Sequence, residues 1–204
     1  MLKTITPGNI VYPVAFEHND FEECLSNASA MIKSMNDRCD LHARSILERL
    51  INVLMGEISE RAVVNWLVKN GKYAVPARKN LNKPDDGYDI ILRDTKGNYK
   101  RCSVKSSLSV YKNNPEDILN MFQLSSKRCE IQDVNIQVYF WLNPGNNKTR
   151  VTVPSTDNMA VIGWIGKKGI NNFVVGKYKT EKRETVNIKL TELHPMETLL
   201  KYLS

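Results

Sequence analysis

A chain of 204 residues with 42% hydrophobic side chains can bury one core of ordinary size. Its four cysteines (Cys24, Cys39, Cys102 and Cys129) are too widely spaced for a zinc ribbon or a secreted disulfide scaffold. No apolar run approaches bilayer length and residues 1–16 lack an uninterrupted secretory segment, so reduced thiols and a cytoplasmic location are expected. The balance of 29 basic against 22 acidic residues, a net charge of +7, attracts polyanions and makes nucleic acid the partner to consider.

After an extended start punctuated by Pro7, Gly8 and Pro13, apolar spacing predicts one helix from Asp20 to about Met35 and a second from Leu41 to Lys69. The second carries Leu47, Leu50, Leu54, Val64 and Leu67 on one face, with Asn70-Gly71 as its stop and a break expected near Gly56. The period then shortens. "KYAVPA" (72–77), "YDIILR" (88–93) and "YKRCSVKS" (99–106) read as three strands of a meander, separated by "NKPDDG" and "DTKGN".

Pro115 opens a helix expected to run to about Ser126, and "VNIQVYFWL" (134–142) is the strongest strand, apolar enough for a central place. "NPGNNKT" (143–149) and residues 166–172 read as loops. Further strands are expected at "RVTVP", "MAVIGWIG", "NFVVGKY" and "TVNIKL", before a short helix in "HPMETLLKYL". No repeat or linker interrupts the chain. The expectation is one α/β domain over 1–204: a helical N-terminal portion to about 55, a core over about 56–142, and C-terminal strands with a short helix.

Strand alternation turns Ser103 and Lys105 to one face, and a hairpin would bring Asp89 beside them. On the preceding helix Glu57 and Glu60 intrude on the apolar stripe, a costly position unless the carboxylates are paired, reach water at the stripe edge or hold a cation. Asp85 and Asp86 sit in a Pro/Gly turn, where aspartate hydrogen-bonds the backbone, so Asp89 is the stronger candidate. The scattered His18, His42 and His194 lack ligand spacing. Lys100, Arg101, Lys112, Lys148 and Arg150 are candidate phosphate contacts, while Tyr139, Phe140, Trp141 and Trp164 lie in apolar runs and are expected in the core.

"GEISERAVVNWLVKNG", "PDDGYDII" and "CSVKSS" together resemble the core of the PD-(D/E)xK nuclease superfamily, which includes restriction endonucleases, junction resolvases and repair nucleases. The likeness covers residues 56–142 in the family's order of helix, three strands, helix and strand. It implies a restriction endonuclease-like fold, with a central mixed β-sheet flanked by helices. It also implies that Asp89 is the metal-binding aspartate, Lys105 the lysine and Glu60 the helical glutamate, with Glu57 as the alternative.

Ser103 departs from the pattern, since the family usually has Glu, Asp or Gln there. Some restriction enzymes with this serine take the missing carboxylate from the following helix, which points to Glu116. The implied chemistry is phosphodiester hydrolysis with Mg2+, or Mn2+ as substitute, held by Asp89, Glu60, Glu116 and the Val104 backbone carbonyl. Lys105 would orient the attacking water and Ser103 would hydrogen-bond the water or the phosphate. DNA is the expected substrate with RNA as the alternative, and a homodimer would suit cutting of both strands. The competing expectation is a nucleic-acid-binding or assembly protein that keeps the fold without the reaction, and Ser103 is its best support.

Overall fold

A computed structural model describes residues 5–12, 16–34, 44–77, 87–109, 114–141, 156–170, 175–177 and 184–204. Two helices come first, α1 (His18–Ser34) and α2 (Ile46–Lys69). Ser45 starts α2, its hydroxyl accepting from the Glu48 N–H at 3.1 Å, and Gly71 ends it in the left-handed region at φ 70°. The break expected near Gly56 does not occur. A Cβ there would meet nothing within 4 Å, and buried residues from Leu54 to Leu67 hold both halves on one core.

The strands β1 (Tyr73–Pro76), β2 (Ile90–Arg93) and β3 (Tyr99–Ser109) form the expected antiparallel meander, with Val75 opposite Ile91 and Ile91 opposite Arg101. The helix expected over 115–126 is shorter. α3 (Pro115–Met121) begins with the Asn114 side chain accepting from the Asp117 N–H at 2.8 Å, and Phe122 then turns extended into β4 (Gln123–Ser126). Leu124 and Ser126 alternate into the interior against the strand Glu184–Lys189, a period-2 burial that outweighs continued helix.

Chain reversal through α3 and β4 brings β5 (Val134–Trp141) back parallel to β3, with Val104 opposite Ile136 and Lys105 opposite Gln137. All eight residues of β5 are buried, as the apolar run predicts for a central strand. β6 (Met159–Gly166) completes a mixed five-stranded sheet in the order β1-β2-β3-β5-β6, and β7 (Val175–Lys177) and β8 (Glu184–Lys189) join β4 in a second sheet ordered β4-β8-β7. Two short helices remain. α4 (Lys167–Ile170) replaces part of the expected 166–172 loop, anchored by Ile170 at 1% exposure, and α5 (Met196–Tyr202) packs on β6. The expected strand at "RVTVP" and the loop at 143–149 lie outside the described residues.

The five-stranded sheet separates two cores. One gathers Ile136, Val138 and Phe140 with α2, α5 and Trp164, and the other gathers Tyr139, Trp141 and Ile162 with α3 and the second sheet. The four aromatics expected in the core are all buried. Among the described residues, no helix is long and apolar enough to cross a membrane.

Candidate functional site

Asp89 heads β2 and is tied to both neighbouring strands. Its carbonyl accepts from the Ala77 N–H and its own N–H donates to the Cys102 carbonyl, each at 2.8 Å. Its carboxylate Oδ2 accepts from the Val104 N–H at 2.7 Å, so the side chain takes over the bonding of β3 where β2 begins. Val104 is the residue between Ser103 and Lys105. The acid and the lysine singled out by the motif are thus joined by one short charge-assisted hydrogen bond and one peptide.

Glu60, on α2, is buried at 8% exposure. Burial pushes the Cys102 thiol well above its usual pKa, and the negative charges of Asp89 and Glu60 push it further, so both carboxylates lie within electrostatic reach of one sulfur. Protonated, that thiol donates weakly to the Ser103 carbonyl at 3.9 Å. Glu57 Oε2 accepts from Asn27 Nδ2 at 3.1 Å, and Glu57 helps burial raise the Cys24 thiol to about 11. Of the two helical acids, Glu60 is the one whose charge acts on the same thiol as Asp89. Both acids line a cavity of about 360 Å³ that ends at Pro76 and Ala77, beside the Asp89 backbone.

Arg61 lies against Asp20 at 3.6 Å, and Lys105 Nζ meets Glu130 Oε2 at 2.9 Å. Glu130 sits in a 3₁₀ turn, Arg128–Glu130, between β4 and β5, and its other oxygen is 3.9 Å from Lys127. Sequence reasoning missed it, because a lone acid 25 residues from the lysine, in an irregular turn, carries no periodic signal. Ser103, on the Lys105 face, is 1% exposed, and its Oγ has no hydrogen-bond partner among the described residues.

Glu116 is exposed in the first turn of α3 and is not drawn in. Among the described residues no three His, Cys, Asp or Glu side chains are grouped to hold a cation. Asp89, Glu60 and Glu116 are thus not gathered as a group of three; Asp89 and Glu60 are the two whose charges act on one thiol, and two carboxylates suit magnesium, an ion commonly held by one or two carboxylates with waters and phosphate oxygens. The fit rests on charge: two acids from different elements act on one thiol.

Of the expected phosphate contacts, Lys112, Lys148 and Arg150 lie outside the described residues. Lys100 and Arg101 line a cleft of about 660 Å³ with Tyr73, Tyr88, Tyr99 and Lys167. The Arg101 guanidinium lies 5.0 Å from the centroid of the Tyr88 ring, and Arg93 lies 4.8 Å from that of Tyr73. These tyrosines were also missed, although each follows a glycine by one or two residues ("GKY", "GY", "GNY"), a recurrence visible in the sequence. No family model, curated protein or solved structure matches the chain.

Proposed function

We propose that the protein is a metal-dependent DNA endonuclease built on a restriction endonuclease-like core. The observation that carries the reading is the Asp89 clamp on the Val104 N–H, which links the acid at the head of β2 to the lysine-bearing segment of β3, while the charge of Glu60 on α2 acts on the same buried thiol as that of Asp89. Supporting it, α2, the β1-β2-β3 meander, α3 and the parallel β5 follow the family's element order, with β4 as an addition.

Asp89 and Glu60 would hold Mg2+, which when bound supplies Lewis-acid polarisation of the phosphate and a water of lowered pKa. The Val104 N–H fixes the Asp89 carboxylate and so removes a rotational cost of assembling the site. Lys105, next in the chain to the residue whose N–H Asp89 holds, would supply positive charge to offset charge gathering on the phosphoryl oxygens, its ammonium being held by Glu130 until a phosphate competes for it. Ser103 Oγ is a buried donor suited to a water at the same position. Glu116 has no place in this set.

Incubation of supercoiled plasmid and short duplexes with Mg2+, Mn2+ or EDTA tests the reading. Cleavage is expected with either metal and not with EDTA, and Asp89→Ala and Lys105→Ala should each lower the rate about 100-fold or more. Activity that survives both substitutions refutes the assigned residues. The second reading, a DNA-binding protein without the reaction, is favoured by Ser103 in the acid position and by the Lys105–Glu130 ion pair. It predicts metal-independent binding with no product under any of these conditions.

A further inference from the structure

The first three strands carry an aromatic and cationic surface that the proposed cleavage chemistry does not use. Register places Tyr73 opposite Arg93 and Arg93 opposite Tyr99, so a Tyr-Arg-Tyr row crosses β1, β2 and β3. One row further along, Arg101 faces Ile91 and lies over Tyr88. Directly opposed side chains on one sheet face stand close enough to touch, so the two rows form a continuous patch.

The cleft has a fixed frame. The Asp133 carboxylate accepts from the Arg101 N–H at 3.0 Å, and the Asp133 carbonyl accepts from the Lys167 N–H at 3.3 Å, which ties β3 to the start of α4. Asp133 is the only acid among the lining residues, against the cations Lys100, Arg101 and Lys167. Tyr99 is 65% exposed and Tyr73 41% exposed, unlike the buried tryptophans of the core.

We infer that this cleft binds a single-stranded segment of DNA, with bases stacked on Tyr99 and Tyr73 and phosphates against Lys100, Arg101 and Lys167. Tyrosine rings meet base faces only where bases are unstacked, and a concavity of about 660 Å³ lined by exposed tyrosines has room for such a base. Charge complementarity supplies the phosphate contacts. Arg101 and Lys105 point to the same face of β3, about 13 Å apart along the strand, so a strand seated here runs toward the proposed cleavage residues. The substrate class that follows is DNA with a single-stranded end, flap or gap. The choice of DNA rests on the nuclease reading; the stacking surface does not.

Fluorescence anisotropy in EDTA tests the cleft apart from catalysis. The probes are an oligothymidylate of about 12 nucleotides, within the site sizes of single-strand grooves, a duplex of the same length and the matching oligouridylate. The oligothymidylate is expected to bind about 10-fold tighter than the duplex. Tyr99→Ala should weaken it about 10-fold while Tyr99→Phe keeps it, and Lys167→Ala should lower the salt slope by about 0.7. Thermal melts verify folding, and Lys167→Ala, in another element, stands in if Tyr99→Ala does not fold.

Equal affinity for duplex, or binding indifferent to both Tyr99→Ala and Lys167→Ala, overturns the inference; tighter binding of oligouridylate overturns the choice of DNA. Asp89-dependent cleavage without Tyr99-dependent binding removes this inference and leaves the nuclease. Tyr99-dependent binding without cleavage does the reverse.

Discussion

The Val104 N–H is where structure and proposed chemistry meet in one hydrogen bond. Asp89→Ala leaves that donor without its acceptor, at a cost of about 1–3 kcal/mol, whereas Asp89→Asn keeps a carbonyl oxygen for it and removes only the charge. Because the charge stands near Glu60 and a fully buried thiol, its loss is expected to leave metal-free stability equal or higher. Urea denaturation in EDTA should therefore rank Asp89→Asn at or above the wild type and Asp89→Ala about 1–3 kcal/mol below Asp89→Asn. Equal stability of the two variants would mean that the clamp contributes nothing. The pairing of Asp89 with the Lys105 segment was legible from period-2 alternation and a short hairpin. Glu130 was not legible, because its approach to Lys105 depends on where β4 ends.

Two glycines show how an element reads its surroundings. Gly56 invites a break in α2, yet the helix passes through it and a Cβ would meet open space, so Gly56→Ala is expected to stabilise by up to about 1 kcal/mol through helix propensity alone. Gly163 in β6 is the opposite case. A Cβ there would strike the Ile5 side chain, come within 2.7 Å of the His194 carbonyl and press on Leu193 Cβ at 3.2 Å, so Gly163→Ala should cost about 1–3 kcal/mol. Opposite shifts in the urea midpoint check both, and a destabilised Gly56→Ala would revive the break. The α3–β4 boundary was illegible for a related reason. "ILNMFQLSS" is apolar enough for helix, and only the partner strand β8, far along the chain, makes Gln123–Ser126 a strand.

At the scale of the molecule, two cores back onto one sheet and β5 belongs to both. Its even-numbered residues pack toward α2 and its aromatic odd-numbered residues toward α3 and the second sheet, which is why its apolar run was the clearest signal in the chain. In the second sheet β7 and β8 were legible as the strands expected at "NFVVGKY" and "TVNIKL", whereas β4, with four residues, is too short to fix a period. The place of β5 between both cores has an energetic consequence. Breaking β5 away from β3 and β6 exposes both cores and amounts to global unfolding, whereas β7 is an edge strand that pairs with β8 over three residues. Native-state hydrogen exchange under increasing urea should therefore find the β5 amides exchanging only at the free energy of complete unfolding. The β7–β8 amides should open at a distinctly lower free energy with a smaller urea dependence. One common isotherm for both strands would instead make the two sheets a single cooperative unit, and would show that the core beneath the second sheet binds it as firmly as the ladder of β3 and β5.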